Sequence, residues 1–257
     1  MILYQAAVLG IVQGLTEFLP VSSSAHLILF PYFLGWQPHP LVFDTSLHLG
    51  TALAIVLYFW RDWLDMIKNR KTLALVIIGV IPAGIFGVLF GDYIEEQFRS
   101  PLLIAFALVL GTAVMEISVK YLNSLKSVQK GISAKDSLFI GFMQILALAP
   151  GMSRSGMTIS GGFFRRIEKD LSVKFSFYLA APIVVGAGLF SLLKSYKLNH
   201  TLCFVDLSFL LGFMMAFIVG FASIKFLIDY MKKHGFGIFI WYRLILATLV
   251  LVVYLLR

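Results

Sequence analysis

Charge is what this chain has least of. Asp, Glu, Lys and Arg together make up 13% of its 257 residues, about half the usual share in soluble domains. Hydrophobic residues make up 60% of the chain, and mean hydropathy is +0.91. A soluble core of this size could not hide that much apolar surface, so lipid must be the solvent for much of it. The single cysteine, Cys203, excludes an intramolecular disulfide and a Cys-based metal cage. The N-terminus, MILYQAAVLG, has no basic leader region, and Glu17 interrupts the apolar stretch a leader needs, so no cleaved signal peptide is expected. Acidic residues are scarcer than basic ones, which leaves a net charge of +8. That excess does not point to nucleic acid. The basic residues cluster in short loops between apolar runs, the distribution of a membrane protein.

Apolar runs near 42–60, 72–90, 101–119, 175–193, 204–224 and 238–256 are each long enough to cross a hydrocarbon core of about 30 Å. Two further regions break midway, residues 1–35 at FLPVSSSAH and 137–164 at APGMSRSG. A helix of about twelve residues, the length left after the first break, reaches only ~18 Å and cannot span. Each region is expected to be a re-entrant hairpin, with its polar turn at membrane depth. The expected fold is all-α: an integral membrane protein of six full transmembrane helices plus two re-entrant helical hairpins, in one membrane domain over 1–257.

Residues 61–71, 120–136, 165–174 and 225–235 carry fifteen Lys and Arg, whereas the opposite loops and terminus carry four: Arg99, Lys194, Lys197 and Arg257. Basic residues accumulate in cytoplasmic loops, so the first set is expected inside and both termini outside. Hairpin 1–35 then opens outward and hairpin 137–164 inward. Their sequences align with a one-residue gap, GIVQGLTEFLPVSSSAH with GFMQILALAPGMSRSGMT, and similar segments follow them, FDTSLHLGTALAI and FSFYLAAPIVVGA. An inverted repeat of 1–119 and 120–257 is expected, with a binding site near the midplane between the halves.

Arg154 is the only charged residue between 137 and 164. It lies in PGMSRSGMT, 150–158, where a helix starts inside the membrane with free N–H groups that favour an anion. Its guanidinium is a planar fork suited to phosphate. Ser153, Ser155 and Thr158 add hydroxyl donors, and Gly151 lets backbone approach a ligand closely. The first turn packs Glu17, Ser22, Ser23, Ser24 and His26 into ten residues. A serine near a histidine across a helix start is the raw material of an activated nucleophile. Gln13 and Glu17 share a helix face, and their oxygens suit a hard divalent cation, Mg²⁺ or Ca²⁺, placed between the carboxylate and an anionic ligand. The bland alternatives are a polar plug with a snorkelling Arg154, and serines that merely cap a helix. Arg154 lies eleven residues from the nearer charged flank, Arg165, and eighteen from the other, Asp136, too deep for easy snorkelling. Ionisable residues at such depth point to function.

QGLTEFLPVSSSAH resembles the glutamate-containing first motif of the undecaprenyl-diphosphatase family of bacitracin-resistance proteins, and PGMSRSGMT resembles that family's second. The resemblance runs the length of the chain. It implies a phosphatase of the bacterial plasma (inner) membrane that hydrolyses undecaprenyl diphosphate to undecaprenyl phosphate, dependent on a divalent metal and open to the extracytoplasmic side. Recycling that carrier lipid would serve cell-wall synthesis. Partners are then the polyprenyl diphosphate substrate, membrane lipids and, among proteins, a second copy of the chain as a homodimer. The resemblance makes Glu17, Ser23, His26 and Arg154 catalytic, with Ser23 the proposed nucleophile and His26 its base. Gln13, Ser22, Gly151, Ser153, Ser155 and Thr158 are expected at the substrate, and Gln13 and Glu17 at the metal. Gln13 stands where many members carry glutamate. The attacking group is open between Ser23, His26 and water. The competing function is a polyprenyl-lipid flippase or transporter, because broken helices in inverted repeats are the architecture of carriers.

Four other polar positions invite structural readings. Asp44 with Thr45 is expected to cap a helix. His48, one turn on, shares that face and is a lesser candidate for contact with the site. Glu116 and Lys120 are spaced for an ion pair. Arg243, beside Trp241 and Tyr242, reads as an interfacial anchor.

Overall fold

Every long apolar run folds as a helix in the computed structural model, which describes residues 2–199 and 206–256. Cys203 and the first residues of the expected 204–224 span lie outside the described residues. The order is α1 (Leu3–Thr16), α2 (Ser23–Leu34), α3 (Leu41–Tyr58), α4 (Trp60–Lys68), α5 (Arg70–Gln97), α6 (Pro101–Asn123), α7 (Ala134–Leu146), α8 (Arg154–Phe164), α9 (Lys169–Asn199), α10 (Leu207–Lys233) and α11 (Gly237–Leu256). Among the described residues there is no strand, only an isolated bridge between Gln129 and Ile167.

Among the described residues five helices are long and apolar enough to cross a membrane, α5, α6, α9, α10 and α11, or six if α3 and α4 form one span bent by 65°. The run expected to end at residue 60 stops at Tyr58. The chain turns at Phe59, and residues expected as a basic loop continue as α4. That helix buries Met66 and exposes Trp60, Leu64 and Ile67. Outward-facing residues recur at helical spacing on α5 (Ile77, Ile81, Ile85, Leu89) and α11 (Ile238, Trp241, Ile245, Leu249). Soluble proteins rarely expose apolar bands of this extent. The molecule is a multi-pass membrane protein.

Two helix pairs are too short to belong to this set. Pro20 and Pro150 lie in the breaks, and each second helix starts from a serine forced into positive φ: Ser22 at 75° and Ser153 at 72°. A non-glycine residue in that region costs about 1–3 kcal/mol and persists only where its surroundings over-determine it. Ser153 recovers part of the cost by accepting the Gly156 N–H at 3.2 Å. The α7–α8 pair is fastened at its base. Ser133 and Asp136 form a reciprocal cap on α7, and Asp136 also accepts from Arg165 Nε at 2.6 Å, just past α8.

α1 packs along α10, α7 along α5, α3 against both α9 and α10, and α6 against α11. Within lipid no hydrophobic force draws helices together, so close packing of small residues must. Gly10 and Gly14 of α1 meet Gly212, Ala216 and Gly220 of α10 backbone to backbone. A ring cluster of Phe18, Phe59, Phe177 and Tyr178 fills the space where α3 and α9 meet the first break. Glu116 and Lys120 pair at 3.1 Å on the surface of α6.

A Cβ on Gly10 would lie 2.5 Å from the Gly212 carbonyl oxygen. Gly10→Val should therefore push α1 off α10 at an overpacking cost of about 1–3 kcal/mol. The check is thermal unfolding in detergent, where a wild-type midpoint would mean that the two helices tolerate separation.

Candidate active site

The two breaks meet. The Gly151 N–H, in the α7–α8 break, donates to Ser22 Oγ at 3.0 Å, across 129 residues of sequence. Glu17 follows directly on α1, and Arg154 is the first residue of α8. Their side chains pair, with Arg154 Nη2 donating to Glu17 Oε1 at 2.6 Å. Ser23 Oγ donates to the other carboxylate oxygen at 2.5 Å, and Gln13 Nε2 donates to the same oxygen at 2.9 Å. His48 Nε2 lies 3.8 Å from it. One buried carboxylate thus takes hydrogen bonds from both halves of the chain. A lone carboxylate at this depth is costly unless paired and hydrogen-bonded, and this one is both.

Glu17, Ser22, Ser23, His48 and Arg154 line a cavity of about 650 Å³. Its polar wall holds Glu17, Ser22, Ser23, Ser24, Ser153, Arg154 and Gln144, with His48, Asp44 and Arg99 beyond. Its apolar wall comes from α5 and α9, where Ala83, Gly84, Gly87, Val88 and Gly91 face Ile183, Val184, Gly186, Ala187 and Phe190. A Cβ on Gly84, Gly91 or Gly186 would meet nothing within 4 Å. The missing side chains are what leave this end of the cavity wide.

Several expected site residues are employed elsewhere. The Ser23–His26 hydrogen bond is not formed. His26 is 1% exposed, and its Nδ1 lies 2.7 Å from the Ser22 carbonyl. A carbonyl only accepts, so Nδ1 carries the proton and Nε2 accepts from the Tyr242 hydroxyl at 2.6 Å. His26 therefore braces the start of α2. Thr158 Oγ1 donates to the Arg154 carbonyl at 2.8 Å and lies 2.6 Å from Ser176 Oγ on α9, so it faces away from the cavity. Ser155 is buried beside Ser153 Oγ at 3.3 Å, and Gly151 spends its N–H on Ser22 and its carbonyl on Arg243. None of Gln13, His26, Gly151, Ser155 and Thr158 lines the cavity.

Arg243 is not an interfacial anchor. It is 0% exposed. Its Nε donates to Thr112 Oγ1 (2.9 Å), Nη1 to the Pro20 carbonyl (3.3 Å), and Nη2 to the carbonyls of Leu108 (3.1 Å) and Gly151 (2.8 Å). Pro20 belongs to the first break and Gly151 to the second, so one guanidinium closes both. The flanking aromatics suggested the interface, but on a helix neighbouring side chains diverge by about 100°. Trp241 faces out while Tyr242 reaches His26 and Arg243 the core. A charge within an apolar span was the sequence signal for this role. Nor does Asp44 cap α3. Pro40 holds the cap position, and Asp44 lies 2.5 Å from His39 Nε2 and 3.8 Å from Arg99. Arg99 and the α5–α9 wall carried no motif that could have marked them.

A family model described as Bacitracin resistance protein BacA matches residues 6–249. An undecaprenyl-diphosphatase of Caldicellulosiruptor bescii is 44% identical over 266 residues, covering 99% of this chain and 98% of its own length. One from Thermodesulfovibrio yellowstonii is 40% identical with coverages of 99% and 98%, and one from Moorella thermoacetica is 40% identical with both chains fully covered.

Arg243→Lys keeps the charge but replaces a rigid fork by a single ammonium. It should leave at least one break carbonyl without a donor, at about 1–3 kcal/mol for each. The expected result is a lower unfolding midpoint in detergent than wild type, and an unchanged midpoint would show that the breaks close without it.

Proposed function

The chain belongs to the bacitracin resistance protein BacA family, and on that premise we propose that it is an undecaprenyl-diphosphatase. It hydrolyses undecaprenyl diphosphate to undecaprenyl phosphate and phosphate, returning the lipid carrier to cell-wall synthesis and conferring bacitracin resistance. The observation that carries the mechanism is the meeting of Ser23, Glu17 and Arg154 from opposite halves of the chain on one cavity. A cavity with a charged end and an apolar end matches a substrate with a diphosphate head and an isoprenoid tail. The α5–α9 wall, opened by Gly84, Gly91 and Gly186, takes the tail.

The diphosphate docks on Arg154, whose fork leaves Glu17 Oε1 for phosphate oxygens. Ser23 Oγ attacks the terminal phosphorus. Its proton passes to Glu17 Oε2, 2.5 Å away in the free protein. The bond from phosphorus to the bridging oxygen breaks, and undecaprenyl phosphate leaves with that electron pair. Water then hydrolyses the Ser23 phosphoester, releasing phosphate and restoring the hydroxyl. Most of the rate comes from positioning and charge stabilisation, which is what phosphoryl transfer asks of a protein. His26 and Tyr242 hold the start of α2, and with it Ser23, in place.

A divalent cation, Mg²⁺ or Ca²⁺, is part of this proposal. Gln13 Oε1 is a buried oxygen with no hydrogen-bond partner, on the amide whose Nε2 donates to Glu17. Among the described residues no group of three or more His, Cys, Asp or Glu could hold a metal. Glu17, on the cavity wall, and Gln13, packed behind it, are the residues that would hold the ion. The ion would neutralise phosphate charge there.

The orientation is read as both termini and the cavity mouth on the extracytoplasmic side, in the plasma membrane. Support comes from the basic-residue count and from Arg99 and Asp44, which line the cavity on the side assigned outward. We read the two short helix pairs as re-entrant hairpins in an inverted repeat. The matching positive-φ serines at 22 and 153, and the pairing of α1 with α10 alongside α7 with α5, support that reading.

Phosphate release from undecaprenyl diphosphate in detergent is the direct test, because a flippase has no reason to release any. Ser23→Ala and Glu17→Gln should each lower turnover by ~10²-fold or more. His26→Ala should cost less, since His26 touches neither reacting group. Chelation should abolish release, and added Mg²⁺ or Ca²⁺ should restore it. Full activity in Ser23→Ala would assign the attack to water.

Orientation is tested separately in a Cys203→Ser background. Glu96→Cys should react with an impermeant thiol reagent on intact cells and Val128→Cys should not. The reverse pattern would invert the topology.

A further inference from the structure

Gln144 on α7 lines the cavity and is only 2% exposed, yet neither Oε1 nor Nε2 has a hydrogen-bond partner. Buried polar groups are nearly always bonded, so an amide with both ends unpaired needs a reason. The aligned residue of the other hairpin shows what is missing. Gln13, like Gln144, ends a Gly-x-x-Gln, and its Nε2 donates to Glu17, four residues on and one helical turn away. Four residues after Gln144 stands Leu148, which offers no acceptor. The first half thus spends its glutamine on its own carboxylate, while the second half leaves its glutamine buried and unpaired in the wall shared with Ser23 and Arg154.

Resting on the diphosphatase reading, we propose that Gln144 is a headgroup-binding residue, whose Nε2 donates to a non-bridging oxygen of the diphosphate. A neutral donor suits the place. The polar wall already holds Glu17 and Asp44 against Arg154 and Arg99, and an amide adds a hydrogen bond without disturbing that balance. It also adds direction, since an amide N–H must be aimed, and so helps fix which phosphate faces Ser23.

Gln144→Met keeps the length and apolar stem and removes both polar atoms. A residue held for the ligand and one held for the fold respond in opposite ways. If Gln144 serves the headgroup, Gln144→Met should raise KM by about tenfold or more, with a smaller change in kcat. The free protein should unfold at the same temperature as wild type or higher, because an unpaired buried amide has been removed. Inorganic pyrophosphate, used as a headgroup probe, should raise the unfolding midpoint of wild type more than that of Gln144→Met. Gln144→Glu, which adds a negative charge, should raise KM further. A wild-type KM in Gln144→Met, or a midpoint several degrees lower without ligand, would overturn the assignment. Should wild type release no phosphate from the lipid, the diphosphatase reading fails on its own, and the pyrophosphate comparison still decides the role of Gln144.

Discussion

Arg243 donates to the Pro20 carbonyl in one break and the Gly151 carbonyl in the other. Interrupted backbone at membrane depth exposes groups that lipid cannot satisfy, and it survives only where protein or enclosed water does so. A guanidinium answers this need well, since its donors diverge in a plane and reach several acceptors at once. The remaining Arg243 bonds go to Thr112 and Leu108 on α6, which ties both breaks to a continuous helix. With the breaks fixed, α2 and α8 begin where they must for Ser23 and Arg154 to meet Glu17. The strained φ of Ser22 and Ser153 belongs to the same arrangement, held by contacts that the local sequence alone does not supply.

The carboxylate of Glu17 is the electrostatic counterpart of that scaffold. It balances Arg154, orients Ser23 and takes the Gln13 amide. In the free protein Arg154 is therefore already paired, and under the proposed mechanism an arriving phosphate would exchange one anionic partner for another. That exchange limits what the charge contributes to affinity and favours specificity for a ligand able to bind the fork in two places. The apolar wall works by omission. Glycines on α5 and α9 leave volume that an ordinary side chain would fill, whereas the glycines between α1 and α10 let backbones touch. The same residue type opens space in one helix pair and closes it in the other.

Much of this was legible beforehand. Composition alone required lipid as solvent, because no soluble core could bury so many apolar residues. The apolar runs located the helices, and the polar turns FLPVSSSAH and APGMSRSG located the breaks; proline alone does not, since Pro31, Pro82 and Pro182 lie within continuous helices. Glu17, Ser23 and Arg154 stood out because polar groups in an apolar stretch are costly and need a reason. Arg243 and Asp44 were misread because their roles were inferred from adjacent residues, and adjacency on a helix says little about which way a side chain faces. His26 was assigned to Ser23 by proximity in sequence, although its partners are the Ser22 carbonyl and a tyrosine 216 positions away.

Composition, periodicity and the placing of polar turns act locally, and they were enough to set the solvent, the class of fold, the positions of the breaks and the chemical types brought to them. Which group bonds to which came from the packing of the helices. Glu17 meets Arg154 across 137 residues, and Pro20 meets Arg243 across 223. Each buried donor must find an acceptor somewhere in the packed bundle, and that choice depends on every helix at once.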